Sequence, residues 1–510
     1  MSLTNPWTAL LFIAVSGIAL SYGWGMRGAT LGAEKGAMLP GALMGMTIAV
    51  FSGSDFLREH FYLLSAAGAM GIYFGGTMSY MQTIGLTGDR NPPEDFRRGM
   101  TGIFVKGCIW FGIFGAFVGM FLSFLSGQFY NELKSVLPLF GILPLFALCG
   151  SRLFDRPFDA EKGIHPRIYF SRNRPEAIGV LFGILVWLVM FQAIHRDTVA
   201  LATTLGCLLS GGTSWVLGQL LHLKGKWPNK RGRLLFNAFY KRGIQATLKI
   251  VECSFGMFAG MGISITFILI ANFSGNYQGY EFSMPTLPEA LLTGLDSRLL
   301  PAIFVALMVL DMTQNFIQRR KTKEEYEYML SRGWISGQEL ELALRKTGKA
   351  PSKVWLRYER AREIATFPIY SVIPLFFLFL GSAEVARLVS FYVLWFVIVE
   401  EQAFRRYKRF KYIHLWRALL FGAGFFVIFA QFAWGWTPDI LLTMLLYGVG
   451  YEILTLVGQT AKRSPERHNK PTIKESSLYI AYGGAVTMHA YFFVCIALLT
   501  GFAAWVNTFQ

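Results

Sequence analysis

Three groups of polar and ionisable residues could do chemistry in a chain that is otherwise mostly apolar. The first is the turn that carries Arg27, Thr30, Glu34 and Lys35 between Gly23 and Gly41. Written as helix, Arg27, Thr30 and Glu34 share one face at i, i+3 and i+7. Gly28, Gly32 and Gly36 recur every fourth residue, a spacing that lets helix backbones approach closely. Pro40 is tolerated near the start of a following helix, so a break is expected around Gly36. Free helix-end amides beside Arg27 and Lys35 would suit an anion. An ordinary cytoplasmic turn explains the two cations through the positive-inside rule, but it has no need of Glu34 or of such dense glycine. The turn is therefore read as a substrate-binding element.

The second group lies deeper. Glu252, Asp311, Glu452 and His489 fall inside apolar stretches. A charge at the centre of a membrane helix costs about 2.5–3.5 kcal/mol on insertion scales, so such residues pair or line a cavity. They are the candidates for proton coupling. The plainer alternatives are a neutral, hydrogen-bonded Glu452, a packed His489, and mutual neutralisation of Glu252 by Lys249 three residues before it. Lys106 and Lys249 are read as snorkelling toward the cytoplasmic surface. Gln82 and Gln219 stand at corresponding places in two stretches, each a few residues after a Gly-Gly-Thr whose threonine is Thr77 or Thr213. Repeated amides and hydroxyls at one depth can hold a polar ligand. They can equally bond helices together.

The third group is Asp55, Glu59 and His60, at i, i+4 and i+5. These residue types could bind a divalent metal or act as acid and base, yet one loop supplies too few ligands by itself. The sequence holds no His-Glu-x-x-His, Gly-x-Ser-x-Gly, phosphate loop or dinucleotide fingerprint. No metal or cofactor is expected, and His195-Arg-Asp197 is read as a coincidence. The trio carries the alternative function, a membrane transferase acting on lipid-linked, phosphate-bearing substrates. The basic, aromatic loop 222–244 would suit the phosphate of such a substrate.

The elements that must position these residues are membrane helices. Fourteen apolar stretches are expected, near 7–26, 37–53, 61–85, 100–127, 135–151, 177–194, 198–221, 246–273, 298–317, 367–382, 385–400, 417–434, 437–460 and 475–505. Of 48 lysines and arginines, 41 fall in alternate gaps between them. Lysine and arginine are retained on the cytoplasmic side, which predicts a multi-pass protein of the cytoplasmic membrane with both termini outside. The net charge of +17 is confined to these membrane-flanking loops, where lipid headgroups account for it and nucleic acid is not needed. The first stretch lacks a basic n-region and a small-residue cleavage site, so it is read as a retained span. Cys108, Cys149, Cys207, Cys253 and Cys495 lie within spans without paired spacing, as free packing cysteines do.

Short matches recur in order. Gly41-Ala-Leu-Met-Gly45 returns as Gly179-Val-Leu-Phe-Gly183, Gly75-Gly-Thr77 as Gly211-Gly-Thr213, and Phe111-Gly-Ile-Phe-Gly115 as Phe255-Gly-Met-Phe-Ala259. Each joins spans of the same direction, which predicts parallel four-helix repeats. Residues 1–127 and 135–273 would be the first two copies, and 385–510 a fainter third. Residues 298–382 would bridge them and carry a cytoplasmic helical hairpin at 318–366, where Ser336 and Glu339 form a capping box. The whole reads as an all-α polytopic membrane protein, a secondary transporter for a small polar, anionic solute, with membrane lipids as its other partner. A scaffold that docks a partner on the hairpin is a third reading.

Overall fold

The computed structural model describes residues 3, 5–26, 37–76, 80–87, 92–157, 165–170, 177–226, 244–274, 281–283, 371–379 and 485–508, with 302, 306, 386, 389 and 390. Every regular element among the described residues is helical. Five helices are long and apolar enough to cross a membrane, and four shorter ones are also apolar. Their outer faces carry Leu145, Leu148, Leu205, Leu209, Phe493 and Leu498, each about half exposed. Apolar surface so extensive belongs against lipid. This is the build of an integral membrane protein.

In chain order the helices are α1 (Pro6–Met26), α2 (Met38–Phe51), α3 (Asp55–Glu59), α4 (Phe61–Gly76), α5 (Met81–Leu86), α6 (Pro93–Leu125), α7 (Leu133–Phe154), α8 (Ile178–Ile194), α9 (Thr198–Lys226), α10 (Ile244–Ser274), α11 (Ile373–Leu378) and α12 (Ala485–Thr508). At the heart lies α6, whose most apolar stretch is wholly buried. Pro93 at its first turn, followed by Glu94 and Asp95, favours helix from there. It therefore begins seven residues before the expected span at 100. With 33 residues it is about 50 Å long, well beyond the ~30 Å of a bilayer core.

Water gives no hydrophobic drive between helices inside lipid, so close packing must hold them. Glycines provide it here. A Cβ at Gly107 of α6 would lie 2.4 Å from the Gly211 carbonyl of α9, and one at Gly260 of α10 would lie 2.1 Å from the Ser16 carbonyl of α1. A Cβ at Gly45 would lie 2.0 Å from the Leu64 carbonyl of α4, and one at Gly150 of α7 would lie 2.0 Å from the Gly179 carbonyl of α8. These pairs leave no room for any side chain. The Asp155 carboxylate then closes the α7–α8 hairpin by accepting from the Gly179 and Val180 amides at 2.8 and 3.1 Å, satisfying two orphan donors of α8.

The C-terminal helix packs against the first. Tyr491 lies 2.5 Å from the Ser21 hydroxyl. Phe502 stacks on Phe51 at 5.3 Å, and Phe51 in turn stacks on Phe12 at 4.9 Å. α12 thus runs antiparallel to α1, and Pro6 and Thr508 come to the same end of the bundle. The hydroxyl of Ser371 reaches the Met70 carbonyl at 3.0 Å, which seats the start of α11 on α4.

The expected single span 61–85 is two helices, because α4 ends at Gly76 and α5 begins at Met81. The matching Gly211-Gly212 lies inside an unbroken α9. Gly41 and Gly45 face α4, the helix that follows, whereas Gly179 and Gly183 face α7, the helix that precedes. Phe111 and Phe255, the first residues of the third match, meet at 5.6 Å. The hairpin 318–366 and most of 385–510 lie outside the described residues.

Gly260→Val should destabilise the purified protein by about 1–3 kcal/mol or more through overpacking against α1. Gly141, in α7, has nothing within 4 Å of an added Cβ. Gly141→Ala should be neutral or stabilising by up to ~1 kcal/mol. Thermal unfolding in detergent reads both, and equal effects would contradict the packing described.

Candidate functional site

Four helices bring large rings to one point. Trp24 of α1 stacks on Trp110 of α6 at 5.3 Å, and Trp215 of α9 stacks on Phe255 of α10 at 4.1 Å. Trp110 and Trp215 close the group at 5.6 Å, and Tyr80, just before α5, touches both of them. All are buried. The glycine contacts explain why they can meet: Gly107 and Gly211 draw α6 and α9 together beside Trp215, while Gly256 seats α10 against Leu20 and Trp24.

A polar layer borders these rings, and α5 organises it. The Tyr80 hydroxyl donates to the Glu252 carboxylate of α10. Lys106 Nζ of α6 donates to Thr83 Oγ1 at 2.6 Å, and Gln219 Nε2 of α9 donates to Thr87 Oγ1 at 2.7 Å. Tyr80, Thr83 and Thr87 lie at i, i+3 and i+7, one face of a helical turn. A single short segment therefore joins side chains of three different helices. Lys106 is 1% exposed and Glu252 3%. His222, one turn beyond Gln219, is buried as well. Small residues admit the segment: a Cβ at Gly99 would meet Thr87 Cγ2 at 2.7 Å, and one at Gly102 would meet Thr83 Cγ2 at 2.8 Å.

Sequence reasoning placed Glu252 and Gln219 among the functional residues, and the fold brings both into this layer. Lys106 corrects the expectation of snorkelling. Because α6 starts at Pro93, Lys106 lies over three turns inside the helix, and its ammonium bonds to a buried threonine. Tyr80, Thr83, Thr87 and the tryptophans were missed. Their partners are 23 to 172 residues away in sequence, beyond any local pattern. The signal that could have pointed to them was Gly75-Gly76, where the span breaks.

Thr213 does not join the layer. It lies on the exposed face of α9 with Leu209 and Leu217, its hydroxyl donating to the Leu209 carbonyl of its own helix at 2.7 Å. Arg27, Thr30, Glu34, Lys35, Thr77, Asp311 and Glu452 lie outside the described residues. So do the side chains of Gln82, Lys249 and His489. At the other end of the bundle, Asp55 is held by Arg58, and His60 Nδ1 lies 2.9 Å from the Phe56 carbonyl while its ring stacks on Phe56. Each of these side chains is engaged within its own turn, and no three His, Cys, Asp or Glu groups among the described residues cluster to hold a metal.

One acidic residue passed over as coincidence has a definite role. Asp197 precedes α9 and accepts the Ala200 amide at 2.9 Å, as an N-cap does. Its second oxygen accepts the Tyr130 hydroxyl at 2.8 Å. Asp197 is buried, and that desolvation raises its pKa, while the Ala200 amide, Tyr130, Ser123 and His195 pull it back down. Burial beside Asp197 also holds the Tyr130 phenol far above its ordinary range. The pair ties the loop between α6 and α7 to the start of α9.

No protein-family model, curated protein or solved structure matches the chain. The site must be understood from its own chemistry.

Asp197 has a raised pKa in the folded state, so its contribution is fully present below the unfolded carboxylate value of ~3.9 and is lost as pH rises through the folded value. Asp197→Asn keeps an acceptor for Ala200 and a partner for Tyr130 but cannot ionise. Its melting temperature relative to wild type should rise from pH ~4 upward across that window. Asp197→Ala should cost about 1–3 kcal/mol at any pH, since it removes the cap and strands a buried hydroxyl. A wild-type-to-Asn difference that stays flat with pH would contradict this account.

Proposed function

We propose that the chain is a secondary transporter of the cytoplasmic membrane that carries a small polar, anionic solute in exchange with or together with protons. One observation carries the reading. A lysine, a glutamate and a glutamine from three helices meet a short helical segment just after a break in the preceding helix. Discontinuous helices with polar groups at membrane depth are how transporters hold solutes, and buried ionisable residues at that depth mark pathways. The cationic Lys106 favours an anion, and Glu252, bonded to the same segment, is the carboxylate assigned to take up a proton.

In this reading the protein has fourteen spans with both termini outside, as the alternation of 41 basic residues favours. Parallel repeats would account for the ordered glycine matches, the two copies having kept the close approaches while changing which neighbour they serve. Arg27, Thr30, Glu34 and Lys35 follow α1 directly in the chain and are assigned to solute binding with Thr77, Gln82 and Gln219. Asp311, Glu452 and His489 remain further candidates for proton coupling.

Reconstituted into liposomes, the protein should take up labelled lactate, gluconate, glutamate or phosphate, faster with a proton gradient of the right sign. Arg27→Ala and Glu34→Gln should lower that flux at least ~10-fold, the loss of about 1.4 kcal/mol of interaction, while still inserting and folding. Normal flux in both variants would remove the turn from the site. No flux of any of the four anions would reject the transporter reading for this solute class. Sidedness is tested separately: in intact cells an impermeant maleimide should label Gln128→Cys but reach Arg167→Cys only after permeabilisation.

A further inference from the structure

Two buried polar atoms beside α5 have no hydrogen-bonding partner: Trp215 Nε1 and Gln219 Oε1. Both residues are 1% exposed. They stand four residues apart on α9, hence on one face. The Trp215 ring points its Cδ1, the atom bonded to Nε1, at the backbone of Gly107, next to Lys106. The Gln219 amide is fixed by its other end on Thr87. An unmet buried donor or acceptor costs about 1–3 kcal/mol, and packing does not account for two of them on the face of α9 that meets α5 and α6.

We infer that α5, α6 and α9 enclose a binding site for a small carboxylate that also bears a hydroxyl or amino group. The chemistry of the three groups specifies this class. Indole N–H only donates, an ammonium only donates, and an amide oxygen only accepts. A carboxylate can accept from the Trp215 N–H and from the Lys106 ammonium together. Gln219 Oε1 then requires a donor on the same molecule, which a simple carboxylate lacks and a hydroxy or amino acid supplies. Thr83 and Thr87 line the same side and hold the lysine and the amide in position. The inference deepens the transporter reading by naming its solute class, and its role in transport rests on that reading; the binding itself does not.

The test compares four probes on the full-length protein in detergent: propionate, lactate, alanine and lactamide. Ligands that bind the native state raise the melting temperature by mass action. Lactate and alanine should stabilise the protein at concentrations at least ~10-fold below those propionate needs, a difference of about 1.4 kcal/mol, and the neutral lactamide should not stabilise it. Gln219→Leu should bind lactate and propionate equally. Lys106→Met should respond to none of the four. If Lys106→Met does not fold, Gln219→Leu decides alone. Equal response of wild type to lactate and propionate, no response to any probe, or a lactate preference surviving in Gln219→Leu would each overturn the site, the last because water then satisfies the amide. Lactate binding with no flux of lactate, gluconate, glutamate or phosphate would keep the site and reject the transporter.

Discussion

Charge buried between packed helices is the constraint on which the rest of this structure depends. Lys106 and Glu252 are both nearly inaccessible, and neither can be left in apolar surroundings without a hydrogen-bonding environment. The fold supplies part of that environment from a single source, the segment that begins with Tyr80. For this segment to reach both groups, α6 must present small residues where the threonines arrive. Gly99 and Gly102 meet that requirement. The aromatic group beside the layer follows from the same geometry. Once α1, α6, α9 and α10 approach closely enough to enclose α5, their large rings have only one another to pack against.

How much of this could be read from sequence differs by residue, for physical reasons. Helical, membrane-embedded character follows from composition and from runs too long and apolar for anything else. Glu252 was legible because a carboxylate in an apolar run is conspicuous wherever it pairs. Lys106 was not, because its meaning depends on where α6 begins, and Pro93, Glu94 and Asp95 move that start outward by two turns. The threonines carry no signal by themselves: Thr83, bonded to Lys106, and Thr213, turned to lipid, are equivalent in type and differ only in what stands opposite. Asp197 is the reverse case. Its place immediately before an apolar run is a local capping signature, and the Ala200 amide bonds to it as that signature requires. Asp55 and His60 show that favourable spacing does not bring side chains together once each has found a nearer partner, Arg58 for one and Phe56 for the other.

The repeated motifs make a related point. Gly41 and Gly45 perform the same physical task as Gly179 and Gly183, removing Cβ atoms so that two antiparallel helices nearly touch. Their partners differ, one pair serving the following helix and the other the preceding one. Gly-Gly likewise ends a helix at Gly76 yet passes unnoticed in α9. The motif specifies how closely backbones can approach, and the surroundings decide whether the freedom is spent on contact or on a break. Similarity of spacing alone therefore does not bring Thr213 into the polar layer, since its hydroxyl is spent on its own helix at an exposed position.

The energetics of α5 connect the fold to the function proposed. The segment is six residues of helix, too short to be stable alone, so its position is set by its contacts. Three side-chain hydrogen bonds pin it, to Glu252, Lys106 and Gln219. At about 0.5–1.5 kcal/mol net for an ordinary bond and about 1.5–3 for one to a charged group, the latch is of the order of 5 kcal/mol. A ligand present at 100 times its dissociation constant returns about 2.7 kcal/mol. Binding energy alone then falls short of undoing the whole latch. A segment held this way by three helices keeps its place when one contact is lost, so its position depends on α6, α9 and α10 together.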